Sequence, residues 1–384
     1  MKQTEIGLIP EDWEVVKIKD IAPLQRGFDL PLKNIIEGKF PVVFSNGINK
    51  YHEIYAIKGP GVITGRSGTI GNVFYVQNDF WPHNTTLFVS KFINCIPKYI
   101  YYLYDKINFN NFSSGSGVPT LNRNDVHDFQ IPLPPLAEQE AIANTLSNAD
   151  AWIEKLDQLI AKKRLIKHGS MQTLLSPKDD WEEKTVFEVA DFNRDLFNDG
   201  DWIESEHIID EGIRLVQTGN IGVGKFLNKS NKKYISEKSF SELKCKELKE
   251  GDLLICRLAE PAGRVCLFPK TQDYKSVTSV DVTIFRPDES KYDRRFLLYS
   301  LSTENWFKVV IEQVGGTTHK RISRGNLGTL KVRVPKSLSE QERIAKILSD
   351  IDAEIEALDQ QLAKARQIKQ GMMQELLTGR TRLV

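Results

Sequence analysis

Few residues in this chain have the types and spacing that catalysis needs. Gly219-Asn-Ile-Gly-Val-Gly224-Lys225-Phe226 nearly spells a phosphate-cradling loop, GxxxxGK followed by Ser or Thr. Phe226 stands where the magnesium-ligating hydroxyl should be, and the short apolar–polar alternation around it suits a β-turn. The six histidines are scattered and form no HExxH, so zinc chemistry lacks a ligand set. Cys95, Cys245, Cys256 and Cys266 lack CxxC spacing and read as buried or free thiols. Neither a GxGxxG cofactor fingerprint nor an Asn-Pro-Pro-aromatic motif occurs. The expectation is a chain with no catalytic residues and no metal or cofactor of its own.

What remains is chemistry for binding. From Thr317 to Lys336 the chain carries Lys320, Arg321, Arg324, Lys331, Arg333 and Lys336 and no acid, with Thr317, Thr318, His319, Ser323 and Asn326 interleaved. Cations neutralise phosphates and short polar groups read base edges, so this stretch has the makings of a nucleic-acid contact, centred on His319, Lys320, Arg321 and Arg324. A strand edge guarded by lysines is the plainer alternative. The matching segment of the first half, Ser113–Asn124, is polar but has Arg123 as its only cation. With Thr120 beside it, that segment predicts a surface of different salt dependence. Arg66 and Arg257 sit in equivalent turns, ITGRSGTIGNV and LICRLAEPAGRV, with Ser67 and Thr69 flanking the first and Glu260 the second. An arginine there reaches a guanine or a phosphate, or caps a strand through a local carboxylate. Gln217 and Asn220 could read adenine or brace a turn.

The elements that must position these residues are announced by a repeat. Leu136–Leu175 recurs without a gap as Leu338–Leu377, with 25 of 40 residues identical. Apolar residues at Ile142, Leu146, Ile153, Leu156 and Ile160, and at Ile344, Leu348, Ile355, Leu358 and Leu362, follow the four–three spacing of a coiled-coil seam. Each copy is acidic first (Asp150, Glu154, Asp157; Asp352, Glu354, Glu356) and basic last (Lys162, Lys163, Lys167; Lys364, Arg366, Lys369), with Lys155, Arg343 and Lys346 as exceptions. Packed antiparallel, acid meets base; packed parallel, like meets like. Gly169 and Gly371 leave the end of each helix open. Ahead of each copy lie short β-prone runs, among them Pro41–Phe44, Gly61–Thr64, Asn72–Val76, Thr85–Val89, Asp252–Cys256 and Val280–Phe285, with helical patches at Pro97–Tyr104 and Tyr292–Trp306. Placing Leu121 on Ile322 and Pro134 on Pro335 aligns the two domain exits. The fold class predicted is α+β: two β-rich domains separated by two long antiparallel helices, with an internal pseudo-two-fold repeat. The divisions are 1–135, 136–176, 177–336 and 337–384.

Bulk composition sets outer limits. The chain has 384 residues, 40% hydrophobic and 27% charged, ordinary for a globular protein of two or three domains. Net charge is +1, so any affinity for nucleic acid must come from local clustering. No apolar run approaches the ~18 residues of a membrane span. The opening MKQTEIGLIPEDW does not resemble a secretory signal. A cytoplasmic protein is expected.

The chain resembles the specificity subunit of type I restriction–modification systems. The resemblance is carried by Pro132-Leu-Pro-Pro-Leu-Ala-Glu-Gln139, its counterpart Val334-Pro-Lys-Ser-Leu-Ser-Glu-Gln341, the stretch Arg214–Gly222 (RLVQTGNIG) and the turn Gly65–Gly71 (GRSGTIG), and it spans essentially the whole chain. It implies two target-recognition domains, each reading one half of a split, asymmetric sequence in double-stranded DNA. It also implies helices that act as spacer and as docking site for two methyltransferase subunits, joined by a motor/nuclease subunit. S-adenosylmethionine, ATP and Mg would belong to those partners, and this subunit would be non-catalytic. Without its partners, an exposed helical pair is expected to self-associate. Arg257 lies in LAEPAG rather than the SGTIG form, so a role for Arg66 does not carry over to it directly. The competing reading is a structural coiled-coil adaptor that nucleates an assembly without touching DNA.

Overall fold

The computed structural model describes residues 1–114, 119–271, 273, 275–316 and 320–383. It divides into two compact units, Met1–Leu159 with Leu358–Val384, and Ile160–Ala357.

In the first unit the β-prone runs become a four-stranded antiparallel sheet in the order Leu24–Arg26, Thr86–Val89, Gly61–Gly65, Val73–Val76. Gly61–Gly65 is buried along its whole length, which suits its apolar and β-branched residues. A second sheet takes Gly47–His52, Phe40–Phe44 and Trp81–Pro82, the last pairing in parallel. Helix Pro97–Ile107 opens on a proline at its first turn, where the missing N–H costs nothing. The second unit repeats this plan. Its sheet runs Phe197–Asp199, Val282–Phe285, Leu253–Cys256, Val265–Leu267, and a second sheet pairs Ile213–Val216 in parallel with Ser276–Thr278. The helical patch expected at Tyr292–Trp306 is two helices, Arg294–Ser300 and Glu304–Glu312, each capped by a side chain, Asp293 and Thr303.

The repeated segments form helices Leu136–Leu174 and Leu338–Leu376, 39 residues each. They are rich in Ala, Leu, Glu, Gln, Lys and Arg, the strong helix formers. Both run through Gly169 and Gly371 without a break. Each unit holds the start of one long helix and the end of the other, and in each the two run antiparallel. In the first unit Asp150 pairs with Lys369 at 2.5 Å and Asp157 with Arg366 at 3.1 Å. In the second, Lys163 pairs with Glu354, and Lys167 with Asp352 at 2.5 Å. Of the seam residues, Ile142, Leu146, Leu156, Ile160, Ile344, Leu348 and Leu362 are buried, while Ile153, Ile355 and Leu358 are half-buried. Burial is deepest at the helix starts. Ile142, Ala143 and Leu146 join Trp13, Tyr99, Tyr102 and the distant Leu376 and Leu377 in one core; Ile344, Ala345 and Leu348 join Trp181, Phe296, Tyr299, Met171 and Leu174 in the other. At about 1.5–3 kcal/mol for each fully buried Leu or Ile, these contacts fasten each domain to its helices.

The Glu-Gln dipeptide that opens both copies has a structural purpose. Gln139 accepts from the Ile96 amide and donates to the carbonyls of Asn94 and Pro134. Gln341 repeats the clamp with the Asp293 amide and the carbonyls of Lys291 and Pro335. Both glutamines are about 1% exposed, so each satisfies buried main-chain groups that would otherwise lack partners.

Candidate nucleic-acid interface

The two arginine turns and the two polar exit segments meet in each unit through the same hydrogen bonds. In the first, the Leu121 amide donates to the Arg66 carbonyl at 2.8 Å and the Gly68 amide to the Pro119 carbonyl, so that Ser67 faces Thr120. In the second, the Ile322 amide donates to the Arg257 carbonyl at 3.0 Å and the Ala259 amide to the Lys320 carbonyl, so that Leu258 faces Arg321. Leu121 and Ile322 therefore occupy matching places, as their alignment predicts. The first turn requires Gly65, because a Cβ there would lie 1.8 Å from the Thr69 carbonyl oxygen. Beyond each clasp a short helix begins, capped by Asn122 or Ser323, with Arg123 or Arg324 at its first position.

The side chains on this common frame differ. Arg66 is half-buried, and one guanidinium nitrogen donates to the Asn84 carbonyl at 3.3 Å. Ser67 and Thr120 are half-buried beside it, and Thr69 and Arg123 are exposed. In the second unit Lys320 and Arg321 are exposed, with Arg321 reaching Asp281 at 3.4 Å. Arg324 is half-buried and donates to Asn198 at 2.7 Å. His319 lies outside the described residues.

The side chains of two candidates are partnered inside their own domain. Arg257 is 4% exposed, donates to the carbonyls of Val280 and Ile322, and has Nε 3.3 Å from Asp199 without hydrogen-bond alignment. Buried and bonded through two nitrogens to carbonyls of its own domain, this guanidinium braces the turn instead of standing open to a ligand. The side chain of Asn220 braces one turn, accepting from the Gln217 amide and donating to the Leu227 carbonyl, while the Asn220 amide donates to the Gln217 main-chain carbonyl at 2.8 Å; the half-buried Gln217 side chain stays in the candidate set. The near-phosphate loop beside them closes on itself through an Ile221–Phe226 bridge, as a β-turn. Lys331 and Arg333 face Glu183 on the paired strand, at 2.7 and 3.3 Å, and hold its carboxyl below the usual range. That part of the basic run is a guarded strand edge.

Sequence reasoning missed Arg26, Asn198 and Asp199, which occupy matching edge strands; sheet register brings Asn198 and Asp199 to Arg324 and Asp199 to Arg257. Arg214 in RLVQTGNIG is 2% exposed and is tied to Asp273 at 2.9 Å and to Asn228. That arginine supports its own domain. Among the described residues no group of three or more His, Cys, Asp or Glu is arranged to hold a metal, and no helix is long and apolar enough to cross a membrane.

Two like-built α+β units, presenting unlike polar side chains on matching loops, define a recognition protein with two different faces. Comparison with known proteins gives the class its identity. The model of the type I restriction modification DNA specificity domain matches residues 10–162 and again 178–367. The MjaVIII type I restriction enzyme specificity subunit of Methanocaldococcus jannaschii is 25% identical, over 98% of this chain and 94% of its own length. The putative MjaX specificity subunit of the same organism is 26% identical over 100% and 96%. Among solved structures, the type I restriction–modification S subunit from M. genitalium superposes with a TM-score of 0.65 at 18% identity, over 98% of both chains. This chain belongs to the type I restriction–modification specificity-subunit family, whose members are the non-catalytic, DNA-recognising components of their complexes.

Proposed function

We propose that each unit reads one half of a split, asymmetric DNA target through the loops gathered at its clasp. Arg66, Ser67, Thr69, Thr120 and Arg123 form the first face; Lys320, Arg321 and Arg324, with His319 next in sequence, form the second. The observation that carries this reading is the identical clasp bearing different polar side chains. A fixed frame with variable polar loops is how one architecture serves two sequences. The long helices act as spacer between the half-sites and as docking surface for two methyltransferase subunits, with a motor/nuclease subunit completing the complex. Trp152, Leu165 and Ile166, 45%, 73% and 43% exposed along the first long helix, are apolar groups suited to such partners and to self-association without them. S-adenosylmethionine, ATP and Mg belong to the partner subunits, and the complex works in the cytoplasm. A similar solved structure, with a TM-score of 0.55 at 17% identity, belongs to a study of complex assembly in the type I system, which supports the docking role.

The test is duplex binding by the whole chain, followed by R321A. Arg321 lies exposed on the second face, so its loss should weaken binding by about 1–3 kcal/mol if it reads a base, or flatten the salt dependence by about one charge if it meets a phosphate. Unchanged affinity and salt slope would remove Arg321 from the face. No duplex binding at low salt by the parent protein would favour the adaptor reading instead.

A further inference from the structure

The edge strand Leu24–Arg26 of the first four-stranded sheet and its counterpart Phe197–Asp199 differ by a reversal of charge. In the first unit Arg26 stands opposite Leu87, which in turn stands opposite Thr64. In the second, Asp199 stands opposite Thr283, which stands opposite Ile255. Arg26 and Asp199 thus share one register position, two residues short of the level of Arg66 and Arg257 on the strand that leads into each turn. From that position Asp199 reaches three groups. Its carboxylate lies 3.3 Å from Arg257 Nε, accepts from the Thr283 hydroxyl at 3.2 Å, and lies 3.9 Å from Arg324 Nε. Asn198 beside it accepts from Arg324 at 2.7 Å. An internal carboxylate therefore sits between the two arginines of the second face.

In the first unit that carboxylate is replaced by a guanidinium whose side chain is 50% exposed. A short carboxylate at this position reaches the arginine of the turn, so the longer Arg26 side chain reaches the same neighbourhood. Arg66 has a main-chain carbonyl as its partner, and Arg123 makes no ion pair among the described residues. Asp29 pairs with Arg26 at 3.1 Å and accepts from Asn84. It is 70% exposed, and an exposed pair of this kind exchanges readily for another anion.

We propose that Arg26, Arg66 and Arg123 together bind a backbone phosphodiester of duplex DNA, in the place that the Asp199 carboxylate fills in the second unit. The proposal rests on the DNA-reading function proposed above. It gives the difference in salt dependence expected from sequence a direction, with the first face the more sensitive, because the second face carries its own counter-charge. A phosphate that meets Arg26 releases condensed counterions, and each such contact adds about 0.9 to the slope of log affinity against log salt.

The experiment measures binding of the full chain to a random-sequence duplex across a salt series. R26A should flatten the slope by about 0.9, and R26K should keep it. R26D should flatten it as R26A does and weaken binding further at low salt, because the new carboxylate would face Arg66 as Asp199 faces Arg257. D199N should steepen the slope by releasing Arg324. Thermal unfolding verifies that each variant is folded, and should R26D not fold, R26A and R26K decide. R26A binding with the slope of the parent overturns the phosphate site while leaving the DNA reading intact. Absence of any duplex binding by the parent overturns both.

Discussion

The Tyr102 hydroxyl donates to the Asp150 carboxylate at 2.7 Å, and Lys369 closes on the same carboxylate at 2.5 Å while standing over the Tyr102 ring. The second unit repeats this node residue for residue, with Tyr299 donating to Asp352 at 2.8 Å and Lys167 pairing with Asp352 at 2.5 Å and standing over the Tyr299 ring. Each node ties a domain helix to the start of one long helix and the end of the other. Burial and the neighbouring carboxylate push both phenols well above their ordinary range, so each remains a donor at any pH the protein meets. Y102F should cost about 1–2 kcal/mol in urea-induced unfolding, because it leaves a half-buried carboxylate one donor short. Y299F should cost a similar amount. A double-mutant cycle between Tyr102 and Lys369 should show coupling; strict additivity would mean that the node is not a unit.

Arg257 and Arg66 occupy matching turns but should fail differently. R257A removes a buried guanidinium that serves two carbonyls and faces Asp199, and should destabilise the second unit by about 3 kcal/mol. R66A removes a half-buried side chain with one carbonyl partner. Its stability should fall by about 1 kcal/mol or less, while duplex binding weakens. Equal losses of stability in the two variants would show that the turns are equivalent in role as well as in place.

Lys106 gives the first unit a pH dependence. Burial, reinforced by Arg380 and opposed by Glu375, lowers its ammonium from 10.5 to about 8. Between those values the unfolded chain binds more protons than the folded one, so this group makes stability rise with pH through that window. The penalty is fully present below pH about 8. Relative to K106M, the wild-type melting temperature should therefore climb from pH 7 to 9.5. The buried tyrosines and cysteines titrate in both proteins, so the difference isolates Lys106, and a constant difference would assign the lysine no such burial.

The spacer role proposed for the long helices predicts the outcome of an insertion. Four residues added beside Leu156 amount to a little more than one turn at ~3.6 residues per turn. The tolerated gap between half-sites should lengthen, as read by mapping methylation in cells carrying the altered subunit with its partners. An unaltered gap would end the ruler role.

Much of this architecture was legible before any coordinate. The four–three apolar spacing and the acid-first, base-last order of the helices specify the antiparallel pairing, because both are properties of a single helix that its twin must complement. The β-prone runs became strands within a residue or two, since Gly- and Asn-rich turns bound them locally. The basic run Thr317–Lys336 was overread. Composition cannot tell Arg321, exposed at the clasp, from Lys331 and Arg333, which face Glu183 across a strand pair. Asn220 was ambiguous for the same reason, because an amide that braces a turn has the same formula as one that reads a base. Arg257 looked like Arg66 because their turns match. Only strand register brings Asp199 beside Arg257, 58 residues away in the chain, and sets Arg26 at the matching position of the other sheet. Periodicity and helix charge order are short-range and survive in a string of letters. Which polar groups are already partnered is a matter of long-range register and burial, and that is settled only when the sheet closes.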